Sequence, residues 1–364
     1  MVGKQHRRGV VVHVMPKEKF TFAFIEFTFE TFPEKEVAFV VYGDDGAQGY
    51  VPFVDDRVVS VGSSREVFTS KQSVELLNGS SVIILNWVNM SMLPSMWRYL
   101  PKTYLLFWGG DFAPYCSKHG LAVEKRVKRA LLIGSIKRAR GIMALLPSDL
   151  SKIASFSSTA KPSYQVDMIN MPHRTLEGVR PVEVKTKSPI KVLVGNSATP
   201  SNRHIAALNL LSKFAEEDVA LYVPLSYGDE DYRNQIISYG SQLFGDRFVP
   251  VVNFMGPAEY TNFLSDISIG VFNYDRQQGL GNIRRLLRMG SKVYISVDSG
   301  MLDDLQSNGS KVHLTESIRD SSFQEFSTID EEEAGRNRAA NSVERQFEQA
   351  VARWRLFYES NEGR

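Results

Sequence analysis

The sequence predicts an α/β protein made of two Rossmann-like domains facing a central cleft. Three observations carry that expectation. At 364 residues the chain exceeds the size at which a single hydrophobic core usually stops growing, so it should divide. Short runs that are apolar throughout, such as VVVHV, VAFVV and VIIL, read as strands buried on both faces, the mark of a parallel sheet. Each run ends in small or polar residues and is followed by a helical stretch, in both halves of the chain.

Taken in order, RGVVVHV (8–14) is the first strand, FAFIEFTFETF (22–32) an aromatic helix, and VAFVVYG (37–43) the second strand. DDGAQG (44–49) is a turn by composition. SVIILNWV (81–88) and TYLLFWGGD (103–111) repeat the pattern of an apolar run that stops at small or polar residues. SKHGLAVEKRVKRALLIGSIKRARGIMA (117–144) is a long helix candidate with an internal Gly134, and IMALLPSDL (142–150) is a strand-to-turn junction. TLEGVRPVEVKTKSPIK (175–191), with Pro181 and Pro189 and few large apolar side chains, reads as the linker.

The second half keeps the same rhythm. IKVLVGN (190–196) leads to the helix IAALNLLSKFA (205–215), and DVALYVPLSYG (218–228) leads to DYRNQIISYGSQLFG (231–245). FVPVVNFM (248–255) precedes AEYTNFLSD (258–266), ISIGVFNY (267–274) precedes a helix over 280–289, and SKVYIS (291–296) is the last clear strand. The tail over 330–358 reads as helical. The expected division is residues 1–180, 181–335 and a helical tail over 336–364.

Composition narrows the function. Hydrophobic residues at 43% and charged residues at 23% describe a soluble globular protein, and a net charge of +2 is too small to argue for nucleic acid. The single cysteine, Cys116, excludes an internal disulfide and a thiolate metal cluster. No run reaches the roughly 18 apolar residues of a membrane span, so the expectation is a cytoplasmic protein that meets a membrane only from its surface. One segment suits that contact: Lys125, Arg126, Lys128, Arg129, Lys137, Arg138 and Arg140 flank an apolar face, and such a helix over 123–142 can rest on anionic lipid. It has no aromatic stacking ladder, which argues against nucleic acid. No feature sets an oligomeric state.

The chemistry-bearing stretches lie at strand ends, where a parallel sheet opens onto helix N-termini with unpaired N–H groups. In VLVGNSATPSNRHIAALNLL, Gly195 lets a ligand approach the backbone, and Asn196, Ser197, Thr199, Ser201 and Asn202 supply small donors and acceptors. Ser201 or Asn202 should cap the next helix, with His204 in its first turn. In NYDRQQGLGNIRRLLRMG, Gly279 and Gly281 remove side chains where a helix opens, and Arg276, Gln277, Gln278 and Asn282 add planar donors for a pyrophosphate or sugar. Arg284, Arg285 and Arg288 behind them read as solvated. Tyr227, after LYVPL, suits a base or sugar. In the first half Asp111 of FWGGD is the leading proton acceptor for a sugar hydroxyl, with His13 and Asp149 as alternatives. The histidines have no ligand-like spacing and no D-x-D occurs beside them, so no metal is expected; helix N-termini and Arg276 can neutralise a leaving pyrophosphate.

These stretches resemble glycosyltransferase family 56, the 4-acetamido-4,6-dideoxygalactose (Fuc4NAc) transferases of enterobacterial common antigen synthesis. The likeness rests on VVHV with VVYGDDG, WGGD (108–111), VLVGNSATPSNRHIAALNLL (192–211), VPLSYG (223–228) and YDRQQGLGNIRRLLRMG (274–290), in the same order. Leu280 replaces the family's isoleucine, and the regions before Trp97 and over 112–190 are less similar. The resemblance implies a GT-B glycosyltransferase with no catalytic metal and no cofactor beyond its dTDP-sugar donor. Its acceptor would be a polyprenyl-pyrophosphate-linked glycan at the cytoplasmic face of the bacterial inner membrane, with the protein bound peripherally. The nucleotide would occupy the C-terminal domain and the acceptor the N-terminal one; stereochemistry, inverting or retaining, stays open. Three alternatives remain: a different nucleotide sugar and acceptor, a non-catalytic sugar-nucleotide or lipid-surface binder, or an oxidoreductase or epimerase. The last would carry a G-x-G-x-x-G turn after its first strand, and VVVHVMPKEKF has none.

Overall fold

A computed structural model describes residues 9–47, 49–116, 122–168 and 188–362. The chain forms two compact units, Met1–Gly178 joined by Gln346–Arg364, and Val179–Arg345. The linker stretch over 175–191 lies outside the described residues except for 188–191.

The first unit runs β1 (Val11–Pro16), α1 (Thr21–Thr31), β2 (Val37–Tyr42), β3 (Val58–Val61), α2 (Lys71–Gly79), β4 (Val82–Asn86), α3 (Leu93–Met96), β5 (Thr103–Phe107), α4 (Val123–Arg138), β6 (Gly141–Ala144), α5 (Pro147–Ser157) and β7 (Ser163–Gln165). Its seven strands lie in the order β3-β2-β1-β4-β5-β6-β7, every pairing parallel. The inner strands are buried along their whole length, as continuous Val, Ile and Leu runs require when helices cover both faces. β3 and β7 escape sequence reading because they are edge strands, short and half exposed. β1 runs on to Pro16, so His13 sits in mid-strand beside Phe39 and Ile84 rather than at the strand end. The long helix expected over 117–144 is shorter at both sides: residues 117–121 lie outside the described set, and 141–144 pair with β5 as β6.

The second unit runs β8 (Ile190–Val194), α6 (His204–Leu211), β9 (Val219–Pro224), α7 (Glu230–Phe244), β10 (Phe248–Val251), α8 (Pro257–Ser265), β11 (Ile269–Phe272), α9 (Leu280–Arg288), β12 (Lys292–Ile295), α10 (Leu302–Ser307), β13 (His313–Leu314), α11 (Phe323–Ser327) and α12 (Glu331–Ala340). Its parallel sheet has the order β10-β9-β8-β11-β12-β13. In each sheet the order reverses once, between β1 and β4 and between β8 and β11. Ligands of open α/β sheets bind at the carboxyl ends of the strands flanking such a reversal.

The last helix, α13 (Val343–Asn361), carries the chain back to the first unit. Its buried Trp354, Phe357 and Tyr358 pack with Phe24, Phe32 and Phe39 of that unit. Trp354 Nε1 also donates to the Asp167 carbonyl at 2.9 Å. Removing a buried indole of this kind costs about 3–5 kcal/mol, so the tail is part of the first core.

Candidate functional site

At the end of β8, Gly195 takes φ +72, and its N–H donates to the Val271 carbonyl on β11 at 3.0 Å. A Cβ there would lie 2.4 Å from His204 Nε2 and 2.8 Å from Asn202 Oδ1, so the turn requires glycine for space as well as for its dihedral. Asn202 is buried and braces the loop: Oδ1 accepts the Asn196 N–H at 2.9 Å, and Nδ2 donates to Ser197 Oγ and the Thr199 carbonyl, each at 3.2 Å. The expected helix cap is absent. Arg203, at φ +52, opens α6 with no side-chain cap, and both Ser201 and Asn202 are turned to other partners. His204 is fully buried with Nδ1 3.3 Å from Tyr232 Oη; burial pulls its pKa down to about 4, so it is neutral at pH 7. Asn202 and His204 therefore shape the loop from behind.

The loop after β9 joins this one. Ala198 N–H donates to the Tyr227 carbonyl, and Asp229 N–H to the Ala198 carbonyl, each at 2.8 Å. Asn196 Nδ2 donates to Tyr227 Oη at 3.1 Å, while Asn196 Oδ1 is buried with no protein partner. Tyr227 is 41% exposed, enough ring for a second planar group to lie on.

The end of β11 completes the group. Arg276 Nη2 donates to Ser201 Oγ at 3.3 Å, and Ser201 Oγ donates to Gln278 Oε1 at 2.7 Å. Gln277 is buried; its Oε1 and Gln278 Nε2 have no hydrogen-bond partner. Gly279, at φ +64, is the N-cap of α9 and offers no side chain to its opening N–H groups. A Cβ on Gly279 would lie 2.6 Å from the hydroxyl of Tyr274, a fully buried tyrosine whose Oη has no partner. Gly281 and Asn282 lie in the first turn, and Asn282 Nδ2 donates to Tyr260 Oη at 2.9 Å. The arginines behind this turn are not the solvated groups expected from sequence. Burial lowers the pKa of Arg285, and burial with repulsion from Arg285 brings Arg288 down to about 10. α9 packs against α12 and so encloses the stripe that a lone helix would expose. Sequence reading singled out neither Tyr260 nor Tyr274; only the position of Tyr274 at the end of an apolar strand could have marked it.

In the first unit the three candidate proton acceptors have different surroundings. Asp111 is 5% exposed; Oδ2 accepts the Val88 N–H at 3.0 Å and Oδ1 the Trp108 N–H at 3.1 Å. Burial pushes its carboxyl up to about 7 against the pull of those backbone donors. His13 is fully buried, stacked 4.9 Å from Phe39, with Nε2 3.1 Å from Tyr358 Oη. Burial drives its pKa down to about 3, and a ring sealed among Phe24, Phe39 and Trp354 reaches no substrate. Asp149 is buried in the first turn of α5, with Lys152 Nζ 3.6 Å from its carboxylate. A further carboxylate at this edge is Glu18, exposed two residues beyond β1. Cys116 is half-buried with its thiol pKa raised by burial.

Among the described residues, no group of three or more His, Cys, Asp or Glu side chains is arranged to hold a metal ion, and no helix is long and apolar enough to cross a membrane.

The sequence model of 4-alpha-L-fucosyltransferase glycosyl transferase group 56 matches residues 125–331, more than half of the chain. Solved structures share the two-domain GT-B fold at low identity. A glycosyltransferase from Rickettsia africae superposes with TM-score 0.66 at 10% identity, covering 98% of this chain and 99% of that one. Anabaena HepE, solved in complex with UDP and glucose, gives 0.67 at 11% identity over 97% and 100%. The sucrose-phosphate synthase of Thermosynechococcus elongatus gives 0.66 at 11% identity over 97% of each chain.

Proposed function

The chain belongs to glycosyltransferase group 56, and from that premise we propose that it moves an amino-deoxyhexose of the Fuc4NAc type from a dTDP-sugar to a polyprenyl-pyrophosphate-linked oligosaccharide. The observation that supports the donor half is the meeting of Ser201, Arg276 and Gln278 at the uncapped start of α9. A diphosphate is the ligand class such a junction suits, since N–H groups and a guanidinium both favour a compact anion. Asn196, Ser197, Gln277 and the opening N–H groups of Gly279–Asn282 would share its oxygens, Gly195 and Gly281 would leave it room, and Tyr227 would lie against base or sugar.

In direct displacement with inversion, the acceptor hydroxyl oxygen attacks the anomeric carbon as the bond from that carbon to the diphosphate breaks. The electron pair leaves on dTDP, whose growing charge falls on Arg276 and the α9 N-terminus; both are in place before reaction. The hydroxyl proton goes to Asp111. A carboxyl near pH 7 is close to the value at which a general base works best at neutral pH.

A polyprenyl acceptor places the reaction at a lipid surface, on this reading the cytoplasmic face of the bacterial inner membrane. α4 supports the contact: Val123 is 77% and Val127 63% exposed, one turn apart on the helix. Two turns further on, Gly134 lies under the half-exposed Trp97, whose carbonyl accepts from Arg138 Nε at 3.0 Å. Lys125, Arg126, Lys137 and Arg138 are exposed along the same helix. An apolar stripe with an indole and flanking cations is the composition of an interfacial helix.

Calorimetric titration with dTDP, UDP and GDP tests the donor reading. Tight binding of dTDP over the other two supports it, preference for UDP redirects the donor class, and negligible heat for all three sinks it. For the membrane, Lys125, Arg126, Lys128 and Arg129 changed together to glutamine should reduce sedimentation with anionic vesicles and spare dTDP binding. Parental sedimentation would make α4 an ordinary solvent-facing helix.

A further inference from the structure

The carboxyl edge of the first sheet carries a feature that neither the diphosphate site nor proton transfer accounts for. Trp87, directly after β4, has φ +60, a left-handed conformation in which a bulky side chain is an outlier. A turn alone would be better served there by glycine or asparagine, so something other than chain reversal keeps an indole at this position. Its ring lies 5.5 Å from that of Trp108, tilted by 56°, and Phe20 meets Trp108 edge-on at 4.9 Å. The three rings come from three strand ends, those of β1, β4 and β5, and each is only partly buried. One side chain ties two of those ends together. The Asp111 carboxylate accepts from Trp108 N–H and from Val88 N–H, the residue after Trp87.

We propose that Trp87, Trp108 and Phe20 form a platform for one pyranose ring of the acceptor glycan, with Asp111 holding the two indoles in register. Indole faces pack against the C–H face of a sugar while its hydroxyls remain free for polar groups. Such groups stand at the same strand ends: Glu18 after β1 and Asn89 after β4, neither of them buried. A few polar groups around an apolar floor describe a site for an amphipathic ring rather than for an all-apolar isoprenoid chain. The assignment of this ring to the acceptor rests on the glycosyltransferase reading above; the platform itself does not.

Saturation-transfer NMR on the full chain tests it, with methyl β-N-acetylglucosaminide, farnesyl diphosphate and dTDP as separate probes. The parent should transfer saturation to the pyranoside ring protons. Trp108→Ala and Trp87→Asn should each weaken pyranoside binding about tenfold, with Trp108→Phe between them and the parent. Trp87→Asn guards against a folding artefact, because asparagine tolerates the left-handed backbone and should leave thermal stability close to the parent's. All variants should bind dTDP as the parent does. Absence of pyranoside binding by the parent, parental affinity in Trp87→Asn and Trp108→Ala, or a loss confined to farnesyl diphosphate would overturn the platform. A parent that binds pyranoside but not dTDP would leave the platform standing and defeat the donor reading instead.

Discussion

At the ends of β8 and β11 the second unit sets out hydroxyls, carboxamides and a guanidinium, with its one nearby histidine buried behind them. At the ends of β1, β4 and β5 the first unit sets out aromatic rings and buries both His13 and Asp111. Both places are the order reversal of a parallel sheet, so topology favours a ligand at each but does not choose its chemistry. That choice comes from a few residues after each strand. Gly279 leaves the opening N–H groups of α9 without a side chain over them, and Gly195 keeps the turn after β8 open; bulky residues at Trp87 and Trp108 cover the sheet edge with apolar surface.

Acid should separate the two units most. An unfolded histidine titrates near ~6.5, above both native values, so between native and unfolded pKa the unfolded chain binds the extra proton. The stability tied to each buried neutral ring is complete above pH 6.5 and drains away as pH falls. His13, held down to about 3, should contribute on the order of several kcal/mol, and His204, held down to about 4, somewhat less. Asp111 has the opposite sign: its folded value lies above the unfolded one, so its contribution is present at low pH and is lost as pH rises toward about 7. Between about pH 4 and 6.5 Asp111 offsets His13 in the first unit while His204 is unopposed in the second, so thermal unfolding of the full chain against pH should show the steeper acid limb in the second unit. His13→Gln should leave Asp111 unopposed and make the first unit gain stability as pH falls through that window; a slope equal to the parent's would mean that the ring is not held neutral.

Asp111→Asn comes next in size. Turnover should fall by about 10²–10⁴-fold if the carboxylate accepts the proton, while dTDP binding, assigned to the other unit, stays unchanged. Full turnover in the variant would send the search to Glu18, an exposed carboxylate at the same edge.

Arg276→Ala probes the second unit in the converse way. It should weaken dTDP by about 1.5–3 kcal/mol and leave thymidine nearly unaffected, if, as proposed, only the diphosphate meets the guanidinium. Equal losses for both ligands would place Arg276 against the nucleoside.

These contrasts follow what a sequence can and cannot display. The strands of both sheet centres were legible because burial on two faces leaves a continuous apolar run, as in VAFVV and IGVF. β3, β7 and β13 were not, being short edge strands with only partial burial. At the site, the polar loop after β8 was visible, but Asn202 and His204 look like ligand donors until their partners are known. Those partners lie in the loop itself and on Tyr232. His13 is the sharper case. What removes it from solvent is Trp354 and Tyr358, on a helix at the far end of the chain, and no local pattern around residue 13 contains them. Trp87 reads as part of a strand in SVIILNWV, and its left-handed backbone is a property of how β4 meets β5 and Asp111.

The smallest expected effect is also the one that best separates shape from polarity in the second unit. Tyr227 is held by Asn196 Nδ2, which donates to its hydroxyl at 3.1 Å, and the residue is 41% exposed at the proposed donor site. Tyr227→Phe keeps the ring and removes that acceptor. If the ring serves as a stacking surface, dTDP affinity should drop only through looser positioning, by about 0.5–1.5 kcal/mol. Tyr227→Ala removes the surface as well and should cost more, by about 1 kcal/mol beyond the phenylalanine variant. Thymidine and dTDP should be affected alike, since the ring would contact the nucleoside and not the phosphates. That pattern is the mirror image of Arg276→Ala. Calorimetry of both ligands against both variants resolves it: a Phe variant as weak as the Ala variant would assign the contribution to the hydroxyl and its Asn196 contact, and would take the ring out of base recognition.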